Sequence, residues 1–398
     1  MYGNRESVYQ TRDRTWTPQT ETERSLADHP LTTGVYAAKR SPHGDLPSAP
    51  YTFTRARTEE PVRTGNELLQ AAKEYAVEDR KRSWFHFIET WVALLATLAG
   101  TIWNIHWSLQ IVCSILAGLV GVRMFILYHD FQHGAFLRKS KVAEGIMWVF
   151  GIFSLNPASV WTRSHNYHHK HNAKIYGSSI GSYPVMTTDD WAKADDETRR
   201  AYAWSRSPMA IALGYWTMFL DGMVLRSIKT NKKRHWDSIL ALVVHAVLVV
   251  TLAIWAPVAL VLTLLFPMML LHAVGAYLFY VQHNYPGVQL KGRREWDYVH
   301  AALNCSSYFK MSKVMHWFTG NIGYHHVHHL NPRIPFYALP DVMEAMPELQ
   351  TPGVTTWKLS HVLECFSLKL WDFEQNRFVG FDAAPTGAGT PAAPSATA

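Results

Sequence analysis

Residues 319–337 read TGNIGYHHVHHLNPRIPFY and place His325, His326, His328 and His329 within one short run. On a helix, His325, His328 and His329 stand at i, i+3 and i+4, on one face and within reach of one ion. His326 falls away from that face by helical phase. A face built from imidazole alone suits iron, copper, nickel or zinc, and not calcium or magnesium. One such face is an incomplete site, so the reading depends on whether the chain supplies partners.

It supplies two more clusters. HDFQH places His129 and His133 at i, i+4, and residues 161–171 place His165, His168 and His169 at i, i+3, i+4. His283 stands alone where the last long apolar run ends. His245 and His272 lie inside apolar runs and read as packing or hydrogen-bonded residues. A structural zinc takes about four ligands and a catalytic one about three, so eight or nine imidazoles fit two metals better than one. No CxxC occurs, and Cys113, Cys305 and Cys365 are scattered, which excludes a disulfide framework and a cysteine-zinc site.

Apolar runs at 84–103, 108–128, 237–255 and 258–280 are each about the 20 residues that cross a bilayer. Trp and Tyr are abundant, as membrane interfaces favour. Run 142–155 is too short to span and suits an interfacial or re-entrant helix. Run 208–225 carries Asp221 and is expected not to cross. Glu89 and Arg123 lie inside spans, so they either snorkel or pair inward. With four crossings, every histidine cluster falls on one side. Fifteen Lys and Arg lie between His129 and His235, and neither opposite hairpin tip has any. The positive-inside rule then makes that side, with both termini, cytosolic. The formal charge of +7 is spread over loops, not gathered in a stripe, which argues for a membrane surface or an acidic protein and against nucleic acid. The expected fold class is an all-α integral membrane protein: four transmembrane helices under a cytosolic helical cap that carries a histidine-rich dimetal site. Residues 1–66 read as a polar, disordered tail, 67–81 as a short amphipathic helix, 67–382 as the folded domain and 383–398 as a second disordered tail.

The three boxes, with GSSIGSYPVMTT at 177–188, YVQHN at 280–284 and LKLWDFEQNRFVGF at 368–381, resemble the membrane fatty-acid desaturase superfamily, in particular bacterial acyl-lipid desaturases of the omega-6 (delta-12) type. The resemblance covers roughly residues 75–382. The first box is HxxxH, as in the delta-12 group, although Phe131 and Gln132 replace the middle residues of the usual HDCGH. It implies that His129, His133, His165, His168, His169, His325, His328 and His329 ligate two non-haem irons, with His283 as an extra ligand. Some relatives have Asn four residues before that histidine; Phe279 stands there, so a water or Gln282 would complete the set. Asp130, His171 and His326 are expected behind the ligands, hydrogen-bonded to them or at the surface. The implied reaction uses O2 and two external electrons to place a cis double bond in a lipid-linked fatty acyl chain. No haem motif and no dinucleotide fingerprint is present, so a separate ferredoxin or cytochrome b5 is the implied donor, and a bacterial inner membrane the implied location. A hydroxylase, epoxygenase or carotenoid ketolase shares the boxes, and a non-enzymatic metal-binding membrane protein is the reading from another class.

Overall fold

The second apolar run becomes the longest helix, Trp107–His133, and the other elements gather on it. The computed structural model describes residues 62–103, 106–176 and 180–384. The two expected tails therefore lie largely outside the described residues. Among the latter, four helices are long and apolar enough to cross a membrane: Arg80–Ile102, Trp107–His133, Trp236–Trp255 and Pro257–Val281. We refer to them as the first to fourth spans. The second packs along both the first and the fourth, with its small residues Ser114, Ala117, Gly118 and Gly121 buried. The third is more peripheral, and Ile239, Val243, Val247, Val250 and Ile254 point outward at helical spacing. A stripe of that size has no place in water and suits lipid.

Local chemistry sets the helix ends. Asp79 starts the first span by accepting the N–H groups of Lys81 (2.9 Å) and Arg82 (3.1 Å). Gly134, at φ 69°, ends the second span in the left-handed conformation and returns its N–H to the carbonyls of Asp130 and Phe131. The expected helix over 67–81 is shorter, Gly65–Lys73. Beyond its end, the Glu78 carboxylate accepts the N–H of Leu137 at 2.6 Å.

Run 142–155 forms Lys141–Phe153, too short to span. Run 208–225 is a short helix, Pro208–Ala212, followed by the π-helical stretch Tyr215–Leu225, in which Asp221 pairs with Arg226 at 2.9 Å. Glu89 and Arg123 pair inward at 3.3 Å, and Arg123 also donates to the Trp317 carbonyl at 2.7 Å. His245 meets the Tyr215 hydroxyl, and His272 lies between the carbonyls of Met268 (2.7 Å) and Ser154 (2.9 Å).

The segment after the fourth span is a cap of short helices, and with Met186–Thr187 from before the third span it forms two small sheets that the sequence did not announce. One is three-stranded: Leu370–Asp372 lies between Met186–Thr187 (parallel) and Arg377–Val379 (antiparallel). The other pairs Tyr308–Lys310 with Val354–Thr356 in parallel. Strands of two or three residues leave no periodicity to read. Phe309, Phe336, Leu349 and Trp371 fill the cap's core.

Candidate metal centre

Four segments deliver nine histidines to one buried region. The second span brings His129 and His133 at its end. The helix Ala158–His171 brings His165, His168 and His169, and the Tyr128 hydroxyl donates to the Asn156 carbonyl at 2.7 Å just before it begins. His283 follows the fourth span. The helix His325–Leu330 brings the last three. Gly320, at φ 48°, lets the approach to that helix press on Ile126 of the second span, where a Cβ would come within 2.9 Å.

The nitrogens divide into two groups. One holds His129, His133, His165, His169 and His328, the other His168, His283, His325 and His329, and within each group the donor atoms all lie within 4.8 Å of one another. The triplets therefore do not each face one point, as the helical-face reading had them. His168 parts from His165 and His169, and His328 from His325 and His329. At 100° per residue, positions i and i+4 lie about 40° apart, whereas i+3 is turned about 100° from i+4.

Nε2 atoms approach closely: His165–His169 3.1 Å, His169–His328 3.0 Å, His283–His325 2.9 Å, His325–His329 3.1 Å and His168–His329 3.3 Å. The His283 Nδ1–H donates to the Cys305 carbonyl at 2.9 Å, so its Nε2 carries a lone pair. His325 Nε2 faces both His283 and His329, and a single proton there cannot serve two lone pairs; a cation can. With metal–nitrogen bonds of about 2.1 Å, neighbouring ligand nitrogens stand about 3 Å apart and opposed ones about 4.2 Å. The observed separations fit. The buried Nε2 of His133 has no hydrogen-bond partner, as expected of an atom facing a metal position.

Burial pushes the pKa values of His165, His168, His169, His325, His328 and His329 well below the ordinary imidazole value, with mutual repulsion adding to it. His283 is lowered to about 4 by burial, against the opposing pull of the Cys305 carbonyl. Neutral imidazole is the form that binds a metal.

Asp130 stands behind the first group. One carboxylate oxygen meets His129 Nδ1 at 3.0 Å, and the other accepts the Phe336 N–H at 2.7 Å, so the exposed-carboxylate alternative does not hold. His171 and His326 belong to neither group. His171 lies against the rings of Tyr167 and Trp296; partial burial lowers its pKa, and Lys174, Lys170 and Arg293 lower it further. His326 is fully buried, with Nε2 3.0 Å from the Leu349 carbonyl, so a surface position is excluded for it. Phe279 packs its ring on His168 and His283, and Gln282 turns its amide nitrogen to the Ile322 carbonyl at 2.8 Å.

Several supporting groups escaped the sequence reading. Ser182 Oγ lies 2.7 Å from His168 Nδ1. It belongs to the GSSIGSY stretch, and Gly181 beside it has φ 68°, with a Cβ there 2.2 Å from the Ser164 carbonyl oxygen. The Tyr298 hydroxyl donates to the His329 carbonyl at 2.7 Å, and Trp161 stacks on His165 at 4.7 Å. The Cys305 contact is made by backbone, which no side-chain pattern reports. A cavity of about 40 Å³ borders His168, His283, Ser182 and Phe279, room for water-sized molecules.

The profile of the fatty acid desaturase family matches residues 105–360. The chain is 28% identical over 323 residues to a fatty acid desaturase of Bacillus subtilis, covering 80% of this chain and 91% of that protein. It is 23% identical over 265 residues to a sunflower (Helianthus annuus) chloroplastic sn-2 acyl-lipid omega-3 desaturase (ferredoxin), covering 61% and 55%. It is 22% identical over 332 residues to a delta-12 fatty-acid desaturase of Vernicia fordii, covering 77% and 82%.

Proposed function

Because the chain belongs to the fatty acid desaturase family, and is thus a membrane oxidoreductase acting on fatty acyl lipid, we propose that it places a cis double bond in a lipid-linked acyl chain, of the omega-6 (delta-12) type. The observation that carries the reading is the pair of buried, convergent imidazole groups. We assign His129, His133, His165, His169 and His328 to one iron and His168, His283, His325 and His329 to the other. Two bound irons supply the O2-dependent oxidation that an unactivated methylene needs, since such a C–H has neither acidity nor a leaving group.

The chain's own residues prepare the site. Asp130 holds the His129 ring in place through Nδ1. The Cys305 carbonyl and Ser182 hold His283 and His168 in the orientation that leaves Nε2 toward the metal. Phe279, Trp161 and the buried cap keep bulk water away. Two electrons come from a separate ferredoxin or cytochrome b5; the name of the sunflower relative supports the first. The lysines and arginines between His129 and His235 support a cytosolic metal face, and the likeness to the Bacillus protein supports a bacterial inner membrane. The omega-6 assignment rests on the HxxxH first box and the quoted motifs.

Expression in a host rich in monounsaturated lipid, with mass-spectrometric location of new double bonds, tests the proposal. A second double bond on the methyl side of the first is expected. His168→Ala and His328→Ala should yield membrane-inserted protein without product. A hydroxyl, epoxide or carotenoid ketone in place of the double bond would reassign the reaction, and product retained by either variant would overturn the ligand assignment.

A further inference from the structure

The metal groups are buried, yet electrons must reach them from another protein. One surface lies directly behind them. The helix Ala158–His171 ends at exposed Lys170. The following Lys174 sits with Nζ 4.8 Å from the centre of the Trp296 ring, and the Ile175 N–H donates to the Lys291 carbonyl at 3.1 Å, bringing the loop 291–297 alongside. That loop exposes Arg293 and Arg294. Among the described residues, none of these five cations is in an ion pair. Glu295 and Asp297 share the loop, Asp297 accepting the His300 N–H at 2.8 Å, so five cations stand against two carboxylates. The patch is therefore a basic rim around a half-buried tryptophan.

The same tryptophan is wired inward. Its indole N–H donates to the Asn172 carbonyl at 2.7 Å, and Asn172 follows directly on the helix that carries His168 and His169. The Asn172 amide donates to Ser306 Oγ at 3.1 Å, and the neighbouring Cys305 carbonyl accepts from His283. Tyr298, whose ring is 6.5 Å from that of Trp296, holds the His329 backbone. The loop thus carries the patch on its outer side, and Tyr298, directly after it, reaches the backbone of His329 in the four-histidine group.

We propose that the patch formed by Lys170, Lys174, Lys291, Arg293 and Arg294 around Trp296 is the docking surface for a small acidic one-electron carrier protein, with Trp296 at the point of electron entry. The proposal rests on the desaturase reading and adds the partner's place to it. The balance is two reduced carriers, one O2 and two protons with a –CH2–CH2– unit, giving –CH=CH–, two waters and two oxidised carriers. Long-range attraction between opposite charges raises the encounter rate and is weakened by salt, and tryptophan and arginine are the residues on which such contacts concentrate.

The test uses the full-length, iron-loaded protein in lipid nanodiscs with acyl lipid, and a reduced acidic [2Fe–2S] ferredoxin as probe. Arg293→Glu with Arg294→Glu should raise the KM for ferredoxin about ten-fold and flatten its salt dependence, while product formed with dithionite and a viologen mediator stays at the wild-type level. Trp296→Leu should lower kcat with ferredoxin more than it raises KM and leave the dithionite reaction unchanged. Lys232→Glu with Lys233→Glu, an exposed basic pair just before the third span, should change nothing. An unchanged ferredoxin KM in the Arg293/Arg294 variant, or an equal effect of the Lys232/Lys233 variant, overturns the docking assignment while leaving the desaturase reading intact. Wild-type protein that forms no double bond with the chemical reductant fails the parent reading, and the docking assignment with it.

Discussion

The two histidine groups are close neighbours but are built differently. The five-histidine group draws on the second span, the helix Ala158–His171 and His328, and has a buried carboxylate behind it. The four-histidine group draws on His168, His283, His325 and His329, and its outer contacts are a serine hydroxyl and a backbone carbonyl. The 40 Å³ cavity borders the second group. More donors and a carboxylate partner favour tight binding, whereas fewer donors beside a cavity leave room for an outside ligand. With two irons held as proposed, the contrast would give tighter retention in the first group and room for an outside ligand at the second.

The harshest way to break that contrast is to remove one ligand from each group. His325→Ala leaves three imidazoles in its group; metal analysis should show about one iron lost per chain, and product should disappear. His133→Ala leaves four in its group and should keep both irons with a smaller loss of turnover. Equal iron loss from the two variants would erase the distinction. A milder probe is Asp130→Asn, which keeps the shape and removes the carboxyl group. Competition with a chelator should show roughly 10–100-fold weaker retention of one iron, the range expected for an outer partner; unchanged retention would assign Asp130 to holding Phe336 alone. The smallest effect belongs to Ser182→Ala. Losing one neutral hydrogen bond is worth about 1 kcal/mol, roughly five-fold in affinity, and should fall on the four-histidine group, so the same competition assay should show the other iron loosened.

Much of the architecture was legible because bilayer crossing makes a demand that composition alone records. Each span needs about 20 apolar residues, and the four helices found match the four runs to within a few residues. The failures lie where side chains act at long range. Glu78 stands beyond the end of the expected helix and bonds the backbone of Leu137, and the two small sheets join segments far apart in the chain. In the candidate centre, the box histidines were visible as residues, while Ser182, Tyr298 and the Cys305 carbonyl were not visible as partners. Hydroxyls and carbonyls occur throughout the chain and acquire a role only through position.

By itself the sequence determined which nine histidines, eight in the boxes and His283, were the candidates to meet, and where four apolar runs long enough to cross a membrane lie, since spacing and hydrophobic length are local properties. Tertiary structure alone decided how they divide. His168 and His169 are adjacent in the chain and serve different groups, and His328 crosses to the group that the second span begins. The physical reason is that a helix fixes only the angle between its own side chains. Which angle meets which neighbour is set by how the second span, the helix Ala158–His171 and the third box pack together.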